Sequence, residues 1–145
     1  MLEENQLDRI RNRLIQEEGL KLQLYRCTAG KLTIGVGRNV EDRGITHETA
    51  MQMLNEDIDI CVGELQKNIS WFDEAPAKIQ EVLIDLCFNM GINRLMGFVK
   101  TLHKLKTGAY KEAAEELLDS RYAASVPNRA KRNADIIASM DWSSR

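Results

Sequence analysis

The sequence predicts a mostly helical α+β chain with two lobes. A small β-hairpin lobe comes first, a helical lobe follows, and a long helix joins them. Three observations predict this. Leu20, Leu22 and Leu24 alternate with Lys21 and Gln23, the one convincing strand pattern in the chain. Met51, Leu54, Ile58, Cys61, Leu65 and Ile69 recur every three or four residues, the stripe of a long amphipathic helix. Ile79, Val82, Leu83, Ile84, Leu86, Cys87, Phe88 and Met90 place apolar side chains on nearly every side of one helix, as at a buried centre.

The elements follow in order. Leu7, Ile10, Leu14 and Ile15 mark a first helix over residues 4–17, expected to pack on the helical lobe. Gly19 stops it. The hairpin turns at Thr28-Ala29-Gly30 and resumes through Lys31 to Val36, where Thr33, Ile34 and Val36 favour a strand. Residues 38–45 read as a charged loop. Thr46 is a good N-cap, and Glu48 suits the positive end of the helix that follows. The expected divisions are a small lobe over about 14–46, a connecting helix over 47–68 and a helical lobe over 69–145. The central helix begins after Asp73, with Pro76 tolerated in its first turn, and ends at Gly91. Three shorter helices are expected at 95–106, 110–119 and 128–139, separated by Gly108 and by the Ala123 to Pro127 stretch.

Length and composition narrow the function classes. A chain of 145 residues makes one domain, or two lobes sharing one core. Three cysteines, Cys27, Cys61 and Cys87, make no disulfide framework and suit a reducing compartment. No apolar run approaches about 18 residues, so no membrane insertion is expected. Met1 to Arg13 is charged throughout and lacks the apolar core of a secretory signal. Residues 1–99 carry a net charge of −5 and residues 100–145 a net +3. That basic bias is too mild for a nucleic-acid partner.

One segment carries the candidate chemistry. Glu18 stands where the first helix ends, Cys27 near the end of the first strand and Thr33 in the second. Eight residues separate Glu18 from Cys27, and five separate Cys27 from Thr33. A tight hairpin brings the last two close, which offers a carboxylic acid, a thiol and a hydroxyl around one cleft. Each residue taken alone has a plainer reading. A helix-end glutamate is usually a solvated charge, a cysteine a small buried hydrophobe and a strand threonine a good strand former.

Glu18-Gly19-Leu20, Tyr25 and Thr33-Ile34-Gly35-Val36-Gly37 resemble the active-site segment of the T-even and lambdoid phage lysozymes. These are the endolysin muramidases of glycoside hydrolase family 24. Phe88-Asn89-Met90-Gly91 resembles that family's central-helix ending. Ser120-Arg121-Tyr122 and Pro127-Asn128-Arg129-Ala130-Lys131-Arg132 resemble its C-terminal signature. The resemblance covers nearly the whole chain and implies a lysozyme-like two-lobed fold. The family pattern is Glu, eight residues, Asp, five residues, Thr. The spacing is kept here, but Cys27 stands in the aspartate's place.

The resemblance implies an activity: hydrolysis of the β-1,4 bond between N-acetylmuramic acid and N-acetylglucosamine in bacterial peptidoglycan, with inversion. Glu18 is then the general acid, with Cys27 and Thr33 holding the attacking water. Attack by Cys27 itself would instead give retention. Arg129 matches the arginine that pairs with the catalytic glutamate. Asn89 and Tyr122 match positions lining the sugar cleft. Arg38 stands where the family usually has histidine. No cofactor and no metal are implied: His47 and His103 lack ligand spacing with the cysteines. Cys61 and Cys87 lie on apolar stripes and read as core. The implied setting is a monomer held in the host bacterial cytoplasm until a holin-like protein releases it to the wall. Two other readings remain: a non-catalytic or attenuated peptidoglycan-binding module, and a lytic transglycosylase, which needs no held water.

Overall fold

The computed structural model describes residues 1–141, so the last four positions assigned to the helical lobe lie outside the described residues. The chain divides into two compact units, one ending at Gln52 and the other beginning at Met53.

The first unit opens with α1 (Glu4–Glu18). Gly19 ends it at φ 79°, returning its N–H to the Ile15 carbonyl. A side chain there would strain, which is why glycine stops this helix. Strands β1 (Lys21–Arg26), β2 (Leu32–Gly35) and β3 (Arg38–Asn39) form an antiparallel sheet in that order. Tyr25 faces Thr33 and Arg26 faces Leu32, so the hairpin turns at Thr28-Ala29-Gly30 as expected. Gly30, at φ 79°, donates its N–H to the Cys27 carbonyl at 2.8 Å and closes that turn.

Residues 38–45 are not the charged loop expected. They form β3 and a single helical turn, α2 (Val40–Arg43). Thr33 pairs with Asn39, and Ile34 with Arg38, which adds a third strand. The Asn39 side chain caps α2 by accepting the Asp42 N–H, and Arg38 Nε donates to the Gly44 carbonyl at 3.0 Å. These polar residues are spent on local backbone bonds, so their charge gave no warning of order.

Helix α3 (His47–Asn68) keeps its expected bounds, and Thr46 Oγ1 accepts the Thr49 N–H at 3.1 Å as its cap. The division between units falls within α3. Its later turns bury Cys61 and Leu65 in the core of the second unit. Helix α4 (Ala77–Met90) contributes Ile79, Val82, Leu83, Leu86 and Cys87 to that core. Gly91, at φ 85°, ends it. Burying each of these aliphatic side chains contributes about 1.5–3 kcal/mol.

The helix expected at 95–106 is two helices, α5 (Ile92–Met96) and α6 (Val99–Thr107). The Gly97 and Phe98 N–H groups fold back to the Arg94 and Leu95 carbonyls, and the helix breaks at Phe98, whose ψ is 57°. That break carries the Phe98 ring to Tyr122, edge to face, with centroids 6.5 Å apart. Helix α7 (Tyr110–Leu118) matches its expected place. Helix α8 (Arg121–Ser125) occupies part of the expected separator. Ser120 explains it: its hydroxyl accepts the Ala123 N–H and donates to the Leu117 carbonyl. Helix α9 (Pro127–Ala138) opens with its proline, where a missing N–H costs nothing. Ala130, Ala134 and Ile137 lie along its buried face, and α9 packs on α7, α8 and α4. Among the described residues no helix is long and apolar enough to cross a membrane.

Candidate active site

Glu18, Cys27 and Thr33 belong to the first unit. Asn89, Tyr122 and Arg129 belong to the second.

In the first unit the hairpin register sets Cys27 beside Thr33. Cys27 is the first residue past β1, its N–H bonded to the Lys31 carbonyl at 3.0 Å. Thr33 is buried in β2, 2% exposed, and its hydroxyl donates to the same carbonyl at 2.8 Å. The Cys27 thiol is held below its ordinary value. Backbone hydrogen bonding from Lys31 is the chief cause and from Ala29 the next; slight desolvation opposes them and the Thr33 hydroxyl assists. Donors aimed at sulfur favour thiolate over thiol. Arg26 takes no part: its guanidinium donates to the Gly30 carbonyl at 2.9 Å. Glu18, the last residue of α1, lays its carboxylate against Gly37 in the turn between β2 and β3.

In the second unit Arg129 sits in the first turn of α9. Its partner there is Asp85 of α4. Nε donates to Asp85 Oδ2 at 3.0 Å and Nη2 to Oδ1 at 2.7 Å, a planar two-point pair. Asn133, one turn further along α9, donates to Asp85 Oδ2 at 2.8 Å and to the Tyr122 hydroxyl at 3.3 Å. The Arg129 hydrogen bonds hold Asp85 below the ordinary carboxylate range, against some desolvation and with help from Asn133. The same pairing pushes Arg129 up. Burial pushes the Tyr122 hydroxyl up.

Asn89 and Tyr122, predicted as sugar-cleft residues, line one cavity of about 950 Å³. Thr101, Ser120 and Arg121 share its wall. Tyr122 is 9% exposed, so most of its ring is spent on packing. Arg129 is not a wall residue. Tyr122 links the wall to the Arg129–Asp85 pair through Asn133.

Cys61 and Cys87 are buried in the core, as expected. Burial, with Cys61 beside it, pushes the Cys87 thiol up to about 12. Sequence reasoning missed Asp85 and Asn133. Asp85 carried a signal, a lone acid inside the apolar run Val82–Phe88. Asn133 carried another, its place four residues after Arg129 on one helix face.

The chain is similar to known proteins over most of its length. A family model described as phage lysozyme matches residues 15–133. "Probable T4-type lysozyme 1" of Dictyostelium discoideum is 26% identical, over 88% of this chain and 92% of that protein. An endolysin of Acyrthosiphon pisum secondary endosymbiont phage 1 is 32% identical, over 70% of this chain and 69% of that protein.

Proposed function

Since the chain belongs to the phage lysozyme family, and is a glycoside hydrolase, we propose that it is an endolysin that cleaves the β-1,4 bond between N-acetylmuramic acid and N-acetylglucosamine. The observation that carries the mechanism is the Cys27–Thr33 pair, with the thiol held low by backbone hydrogen bonding. Glu18 gives its proton to the glycosidic oxygen as the bond to the anomeric carbon breaks. Water held by Cys27 and Thr33 attacks that carbon from the opposite face, and the Cys27 thiolate takes the water's proton. The product anomer is inverted.

Asn89 and Tyr122 line the cavity that receives the sugar, Asn89 offering its amide to an N-acetyl group. Arg129 supports the Tyr122 wall of that cavity through Asp85 and Asn133. The partner is bacterial peptidoglycan. In this reading the enzyme is a monomer in the host cytoplasm until a holin-like protein lets it reach the wall. The name endolysin on one relative supports that setting.

A lowered thiol also suits a nucleophile, which gives a second reading with Cys27 on the anomeric carbon and retention. Digestion of purified peptidoglycan separates the readings. Mass spectrometry of the muropeptides should show reducing ends. Anhydro ends would mean a transglycosylase, and intact sacculi a binding module. Proton NMR of the fresh product should show the α anomer; the β anomer would mean the cysteine nucleophile.

A further inference from the structure

We propose that Gly37 is a positioning residue for Glu18: its missing side chain is the space in which the Glu18 carboxylate rests. This inference builds on the reading of Glu18 as the general acid.

Gly37 has φ 65°, in the turn between β2 and β3. A Cβ placed there would stand 2.7 Å from Glu18 Oε2, 3.1 Å from Cδ and 3.2 Å from Cγ. Real Cβ atoms do not approach other heavy atoms that closely, so one partner has to move. The backbone of Gly37 is held by β2 and β3 on either side. Glu18 is the terminal residue of α1, with three rotatable side-chain bonds, and its carboxylate moves first.

Positive φ alone does not account for the position. Gly19, Gly30, Gly35, Gly44 and Gly91 also have positive φ, and a Cβ at any of them meets nothing within 4 Å. Among the described glycines, Gly37 alone would bring a Cβ within 3.4 Å of another side chain; at Gly108 the nearest atom is Tyr110 Cε2 at 4.0 Å. The close approach joins the end of α1 to the β2–β3 turn. The same turn follows the strand that carries Thr33. One backbone segment therefore holds the water-binding hydroxyl and seats the acid.

An added methyl group should therefore affect turnover more than folding. Displacing a catalytic group by about 1 Å costs on the order of 100-fold in rate. Gly35→Ala is the matched control. Gly35 has φ 71°, so alanine there suffers the same kind of backbone strain, but its Cβ enters open space.

The experiment measures kcat and KM on soluble peptidoglycan fragments for wild type, Gly37→Ala, Gly35→Ala and Glu18→Gln. It also measures Tm for both alanine variants with and without Glu18→Ala. The expected result is a kcat about 10- to 100-fold lower in Gly37→Ala with KM nearly unchanged, against a kcat within about threefold of wild type in Gly35→Ala. In the Glu18→Ala background the two alanine variants should lose the same Tm, because the contact is gone. If Gly37→Ala is too unstable to assay, recovery of folding in the Glu18→Ala, Gly37→Ala double variant supports the proposal. Failure to recover overturns it. Equal kcat losses at 35 and 37, with Glu18→Gln inactive, overturn the role of Gly37 and leave the catalytic reading standing. Full activity in Glu18→Gln overturns both.

Discussion

Arg129 and Asp85, 44 positions apart in the chain, close a two-point ion pair between α9 and α4, with their nitrogen–oxygen distances at 2.7 and 3.0 Å. Asn133 completes the network and ties it to the Tyr122 hydroxyl. Half-exposed pairs contribute little when isolated, but this one also satisfies a buried amide.

Asp85→Ala should lower stability by about 1–2 kcal/mol, because it removes the carboxylate partner of the guanidinium and one of the two acceptors of the Asn133 amide. The pair also sets a pH dependence. Asp85 ionises below its ordinary value of 3.8 in the folded chain, so the unfolded chain binds the extra proton. The contribution is whole above that value and fades as pH falls through the lower folded one. Thermal melts of wild type and Asp85→Ala at neutral pH and near pH 3 test this; the gap between them should shrink in acid. A gap that stays constant would contradict the linkage.

Cys27 should be the reactive thiol of the three. Its backbone donors favour thiolate, whereas Cys61 and Cys87 are buried and Cys87 is pushed up to about 12. Alkylation by iodoacetamide, followed by peptide mass spectrometry, should label Cys27 first. The rate should inflect below about pH 8.5, where an unperturbed thiol titrates, because the thiol is held low. An inflection at or above that pH would remove the case for a stabilised thiolate.

Removing the Cys27 side chain should cost most of the activity. General-base assistance is commonly worth about 100-fold or more, so Cys27→Ala should lose roughly that much kcat. Cys27→Asp should keep or raise activity, since a carboxylate accepts the water's proton at neutral pH. Undiminished turnover in Cys27→Ala would end the water-holding role.

Asn89→Ala should act on binding. Loss of one amide hydrogen bond to substrate costs about 0.5–1.5 kcal/mol, which raises KM by roughly 2- to 12-fold with kcat unchanged. A fall in kcat at constant KM would mean that Asn89 acts only in the transition state.

Tyr122→Phe tests the link between cavity and ion pair. Losing the hydroxyl that meets Asn133 should cost about 1 kcal/mol in a chemical melt. The edge contact with Phe98 survives the change. No loss of stability would show that Asn133 draws all its support from Asp85.

Much of the fold is legible in the chain. The α3 stripe from Met51 to Ile69 and the all-round apolar run of α4 specify long helices by period alone. The turn at Gly30 needs positive φ, and glycine announces it. The Glu18, Cys27 and Thr33 spacing is legible as a family pattern. The break at Phe98 is less so, because Gly97 and Phe98 interrupt an apolar pattern that continues on both sides. Helix α8 is hidden because its five residues are too few to show a period, and only the Ser120 cap marks its start.

The sequence by itself determined the helical class, the hairpin, the core places of Cys61 and Cys87, and the candidate trio in the first unit. Each depends on neighbours within a few residues, where period, turn chemistry and spacing act directly. Only the tertiary structure decided the third strand at Arg38–Asn39, the Asp85 partner of Arg129 and the resting of Glu18 on Gly37. The third strand pairs with residues only four to six positions earlier, but two residues are too few to show an alternation. The other two depend on which separate segments meet, and no local pattern encodes the side chain that a buried amide or a guanidinium will find across a packed helix pair.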